Sequence, residues 1–111
     1  MSGFDPVFNP TRLAICAYLS GCQQGDFSAV QEYCGLSQST LSKALTQLTA
    51  AGYVEVTKAS VGRYSKTVLA LTEAGREALA SHLDALQRIA IQARRTARAS
   101  TEATLRTVAP S

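Results

Sequence analysis

A single histidine, His82, and eight scattered carboxylates leave this chain little with which to build a catalytic centre. No glycine-rich phosphate loop accompanies them, and no nucleophile, base and orienting group recur in a recognisable pattern, which argues against an enzyme. Cys16, Cys22 and Cys34 are odd in number and lack CxxC spacing, so neither a zinc site nor a disulfide framework is expected. Buried, inert thiols are preferred over metal or oxidant sensing, because free cysteine is among the most buried residue types. His82 reads as a surface or interface residue of a final helix rather than a metal ligand, and no cofactor is expected. No apolar run approaches the ~20 residues a membrane span requires, and no basic and apolar leader opens the chain. The expectation is a soluble, cytoplasmic protein.

What is present fits one domain. A chain of 111 residues, 46% apolar, supports a single core with a modest stability margin. The net charge of +3 is unevenly spread. Residues 1–36 carry Asp5, Asp26 and Glu32 against Arg12, whereas residues 37–72 carry Lys43, Lys58, Arg63 and Lys66 against Glu55 alone. Positive charge in the middle of a chain is a weak pointer to an anionic partner.

Local signals divide the chain. Asn9 before Pro10 is a helix start, with Pro at the first position where its missing N–H costs nothing. A first helix through TRLAICAYLS stops at Gly21, and QQGD follows as a loop. Phe27, Val30, Tyr33 and Cys34 mark a short second helix, capped by Asp26 or Ser28 and ended by Gly35. Ser37 then caps a third helix in which Leu41, Ala44, Leu45, Leu48 and Ala51 recur at helical steps. Val54 and Val56 alternate with Glu55 and Thr57 as in a strand with one buried face, and Thr67, Leu69 and Leu71 share a face of a second strand. ASVGRYS between them reads as a turn around Gly62 with a basic tip.

Three helices, a hairpin and a further helix form the order of a winged helix-turn-helix, a mainly α fold with a two-stranded wing. CGLSQSTLSKAL carries most of this inference, joining a glycine turn, an immediate N-cap and an apolar ladder. Burying the leucines of the third helix turns Gln38, Ser39, Thr40, Ser42, Lys43, Thr46 and Gln47 outward. Glutamine pairs with adenine, and serine or threonine with several base edges, so this face suits a DNA major groove. Lys58, Arg63, Tyr64 and Lys66 surround the hairpin tip, from which Arg63 would enter a minor groove. A solvated helix face and a charged hairpin tip that discourages aggregation are the bland readings of each feature alone. Their combination on successive elements favours nucleic-acid binding.

FNPTRLAICAYL, DFSAVQEYCGLSQSTLSKALTQLTAAGYVEV and SKTVLALTEAGREALASHLDAL resemble small single-domain winged-helix transcriptional regulators of the MarR/ArsR type, and the resemblance covers roughly residues 4 to 88. The resemblance implies a homodimer on a pseudo-palindromic operator, the third helix in the major groove and the wing at the minor groove. It leaves room for a small-molecule effector of unidentified chemistry. The CxC-type motif of the metal-sensing ArsR members is missing, and so is the extra N-terminal helical material with which larger MarR-type proteins build their dimer.

The final helix is the natural substitute. Leu79, Leu83, Leu86, Ala90, Ala93 and Ala97 follow 4, 3, 4, 3, 4 spacing, the rhythm of a helix-packing seam, and Leu79, Leu83, Leu86, Ala90 and Ala93 are the expected dimer contacts. The DNA-binding domain is placed at residues 1–95, with the dimerisation helix at about 73–95 and a frayed or disordered tail at 96–111. The expected function is a sequence-specific bacterial or archaeal DNA-binding regulator, a repressor acting by promoter occlusion. A winged helix used for protein contacts without DNA is the alternative, and steep salt dependence of binding separates the two.

Overall fold

The computed structural model describes residues 4–108. Asn9 accepts a hydrogen bond from the Arg12 N–H at 2.7 Å and starts α1, Pro10–Ser20. Helix α2, Phe27–Cys34, follows, with Asp26 at its N-cap but no side-chain cap bond. Helix α3, Gln38–Ala50, buries Leu41, Ala44, Leu45 and Leu48. Strands β2, Val54–Val61, and β3, Tyr64–Leu71, form the hairpin, and α4 runs from Glu73 to Val108. Ile15, Cys16, Leu19, Val30, Leu41, Leu48 and Leu69 are the innermost side chains, so three helices close over one face of the hairpin's base. Full burial of each large aliphatic contributes roughly 1.5–3 kcal/mol. The expected winged helix-turn-helix is present, with a three-stranded sheet in place of two strands.

The additional strand is β1, Gly25–Asp26, within the expected QQGD loop. It pairs antiparallel with β3, Gly25 opposite Leu69 and Asp26 opposite Val68, giving the order β1-β3-β2. A Cβ on Gly25 would stand 3.0 Å from Leu19 and 3.3 Å from Val30, so any larger residue would have to push these core side chains aside by a few tenths of an ångström. Two residues, one without a side chain, offer no alternation from which to predict a strand.

The hairpin is also tighter than expected. Pairing continues from Val54 opposite Leu71 to Val61 opposite Tyr64, leaving Gly62 and Arg63 as a two-residue turn. Gly62 has φ 62°, the left-handed conformation a short hairpin requires at that position. Val56 departs from the buried face expected for it. Val54 is 3% exposed and Val56 42%, because Val56 lies on the edge strand β2 and borders open space beside α3, whereas its cross-strand partner Leu69 is fully buried.

An N-terminal strap overturns the surface reading of His82. The imidazole is buried, and its Nδ1 accepts from the Asp5 N–H at 3.2 Å. Phe4 and Phe8 pack against the ring with centroids 5.9 and 5.0 Å away. The Tyr53 hydroxyl donates to the Asp5 carboxylate, a bond that, with partial burial, raises the tyrosine pKa. Residues 4–8 thereby tie α4 to the start of the sheet. On the other side of α4, the Arg76 guanidinium donates to the carbonyls of Ser20 and Cys22 at 3.1 and 3.3 Å, capping the end of α1.

Helix α4 starts as expected, with Thr72 Oγ1 accepting from the Gly75 N–H at 3.0 Å. Gly75, Leu79, His82 and Ala85 are its buried positions, and every described side chain from 91 to 104 is exposed. The helix extends through residues placed in the expected frayed tail as far as Val108, and 109–111 lie outside the described residues. No glycine or proline interrupts it between Gly75 and Pro110, and Thr101 and Thr104 fold their hydroxyls onto the carbonyls of Ala97 and Ser100. At ~1.5 Å per residue it far outreaches the domain. The radius of gyration is 19.9 Å, against about 13 Å for a compact chain of this size.

The packing around Gly75 and Cys16 is open to direct test. A Cβ on Gly75 would lie 2.3 Å from the Tyr53 carbonyl oxygen, so Gly75→Ala should destabilise the fold by about 1–3 kcal/mol in urea unfolding. Burial pushes the Cys16 thiol from 9.0 up to about 12 and also raises Cys34. Iodoacetamide at neutral pH should therefore label Cys16 only on unfolding. Stability should fall as pH rises from 9 toward 12, because the unfolded thiol ionises first.

Candidate nucleic-acid interface

The site begins at the end of α2. Gly35 adopts φ 65°, and the N–H groups of Gly35 and Leu36 reach back to the carbonyls of Glu32 and Gln31 at 3.2 and 3.0 Å. This closure turns the chain sharply, and two residues later Ser37 accepts from the Thr40 N–H at 3.1 Å to start α3. With Leu41, Ala44, Leu45 and Leu48 inward, Gln38, Ser39, Thr40, Ser42, Lys43, Thr46 and Gln47 are all exposed. The structure thus gathers every residue predicted for this helix on one open face.

These side chains are not equally free. Thr40 accepts from the Ser37 hydroxyl at 2.8 Å, Ser39 lies 3.4 Å from the same hydroxyl, and Thr46 donates to the Ser42 carbonyl at 3.0 Å. Gln38, Ser42, Lys43 and Gln47 make no side-chain hydrogen bond among the described residues. The two glutamines present both a donor and an acceptor to whatever faces the helix.

The wing residues separate. Lys58 and Arg63 are exposed, and Tyr64 is 78% exposed at the tip. Lys66, one of the cations expected around the hairpin tip, has its Nζ 3.6 Å from the Asp26 carboxylate. That pairing depends on β1 lying beside β3, which the sequence did not reveal. Lys58 and Lys66 also project from opposite faces, since Lys58 pairs with Thr67 and Lys66 with Ala59. Between α3 and the sheet runs a groove of about 440 Å³, lined by Phe27, Gln38, Ser42, Leu45, Thr46, Thr49, Val56 and Thr67. Exposed Val56 is therefore part of the groove wall. Phe27, Val56 and Thr67 are lining residues that the helix and strand patterns explain by structure alone, and Thr49 carries no signal in the sequence.

The family described as winged helix DNA-binding domain matches residues 11–90, from α1 through the packed part of α4. The chain belongs to this family. Among solved structures, this winged helix is similar to the transcriptional regulator homologue protein of Pyrococcus horikoshii OT3, with a TM-score of 0.72 and 27% identity over 76% of this chain and 83% of that one. It is similar to a MarR family transcriptional regulator of Silicibacter pomeroyi, at TM-score 0.56 and 28% identity over 91% and 73% of the two chains. Bacillus subtilis PadR, in complex with operator DNA, shares the fold at TM-score 0.59 and 19% identity, over 68% of this chain and 47% of that one. No curated protein matches. The resemblance to MarR-type winged-helix regulators read from the sequence is upheld, and none of the helices in the described residues is long and apolar enough to cross a membrane.

The Asp26–Lys66 pair generates a prediction for this winged helix. Asp26→Asn should release the Lys66 ammonium and remove a negative charge beside the wing. DNA affinity at low salt should rise, and the dependence on salt should steepen by up to roughly 0.9 for each additional phosphate neutralised, measured by fluorescence anisotropy.

Proposed function

We propose that the protein is a sequence-specific transcriptional regulator that binds DNA as a homodimer and represses by occluding its promoter. In this reading α3 enters the major groove, and the wing lies against the adjacent minor groove with Arg63 at its tip. The observation that carries it is the α3 face: seven exposed polar residues, of which only Lys43 is charged, presented on a rigid helix by a closed turn. Base edges are read by hydrogen bonds of this kind, whereas phosphates are served by the cations around them.

The dimer is supported by α4. Leu79 is 4% exposed and belongs to the chain's own core, so the seam available to a second chain starts at Leu83. Leu83, Leu86, Ile89 and Ile91 are 37%, 36%, 52% and 46% exposed, and half-buried Ala90 and exposed Ala93 lie among them. The two isoleucines were not among the predicted contacts. Large aliphatic side chains on a helix that outruns its domain are suited to burial against the same helix of a partner chain.

Two measurements test this reading. Gln38→Ala and Gln47→Ala should each change base preference at one position by ~1–3 kcal/mol, while Arg63→Ala should weaken binding to all sequences. Unchanged affinity and preference in all three would remove α3 and the wing from the interface and favour a protein-contact role. Sedimentation at micromolar concentration should give a dimer that Leu86→Asp with Ile89→Asp converts to monomer; a wild-type monomer unaffected by DNA would refute the assembly.

A further inference from the structure

Helix α3 stands between two grooves. Gln38, Ser42 and Thr46 border the one shared with the hairpin. On the opposite flank a second groove of about 630 Å³ is lined by Asn9, Thr11, Arg12, Thr40, Lys43 and Gln47, among others, and Thr46 borders both grooves as the crest of the ridge. A helix about 10–12 Å across fills a major groove about 12 Å wide, so a sugar-phosphate strand must pass along each of its flanks.

We infer that Arg12 and Lys43 form a second phosphate-binding edge, which holds the DNA strand on the side of α3 away from the wing. This rests on the DNA-binding reading above. Arg12 lies outside the helix-turn-helix and the wing, on the first turn of α1. Its Nε donates to the Val7 carbonyl, and its two terminal nitrogens make no hydrogen bond among the described residues. The guanidinium is therefore held in place at one end and open at the other. The strap sets that position, because Asp5 accepts from the Val7 N–H at 2.9 Å while bound to His82 and Tyr53. A cation fixed before binding loses less side-chain freedom on meeting a phosphate than a lysine at the mobile end of its stem. Lys43 is exposed on the facing wall and supplies the second charge.

The test is titration of a fluorescently labelled random-sequence DNA duplex at a series of salt concentrations, with thermal unfolding of each variant alongside. Arg12→Gln should bind severalfold more weakly at low salt and lower the slope of log affinity against log salt by roughly 0.9 for each phosphate it no longer neutralises. Arg12→Lys, which keeps the charge, should retain the wild-type slope. Wild-type affinity and slope in Arg12→Gln would overturn the inference while leaving the DNA-binding reading intact. Equal losses in both variants, with a lowered unfolding midpoint, would also overturn it by assigning Arg12 to packing. Failure of the wild-type protein to bind any duplex at low salt would refute the DNA-binding reading itself and this edge with it.

Discussion

Burial of Leu41 and Leu48, both without exposed surface, fixes the rotation of α3 about its own axis. Everything proposed for the surface depends on that rotation. A helix with this leucine ladder has one low-energy way to sit on Ile15, Leu19, Val30 and Leu69, and truncating either leucine to alanine costs about 2–5 kcal/mol. The polar face is what remains once the ladder is satisfied. Gly35 and Ser37 then decide where along the surface that face appears, since the left-handed closure and the cap leave no slack between α2 and α3.

Most of the positive charge lies around the polar face of α3 rather than on it. Lys58 and Arg63 stand on the hairpin, Arg12 stands on α1, and Lys43 is the one cation of the helix face. Exposed cations attract any polyanion and confer little sequence preference. In the proposed reading, separating them from Gln38, Ser42 and Gln47 lets affinity and discrimination be set by different residues. Lys66 is paired with Asp26, which tempers the positive charge along the wing.

The helices, their caps and the hairpin were legible because their signals are local. Asn9, Ser37 and Thr72 cap the helices they precede, and Gly35 and Gly62 take the left-handed conformations their positions suggested. What stayed hidden depends on distant partners. Strand β1 exists only because β3 lies beside it, and the Asp26–Lys66 pair follows from that register. His82 is buried by a strap more than seventy residues away in sequence, and no periodicity within α4 encodes that contact. The polar face of α3 was readable as a face, but the grooves on either side of it belong to the sheet and α1, and so does the position of Arg12.

The α4 projection links the site to its proposed assembly. In the proposed dimer, an apolar stripe leaving the core at Leu83 would let a second chain set the spacing between two α3 helices without altering the polar face of either. In the proposed complex α3 reads sequence while its neighbours supply charge. Selection of bound fragments from a genomic DNA library at two salt concentrations tests it most directly. A shared two-fold-related motif should be enriched at both concentrations and more sharply at the higher one, where sequence-independent attraction is screened. Recovery of fragments with no common motif at either concentration would contradict it.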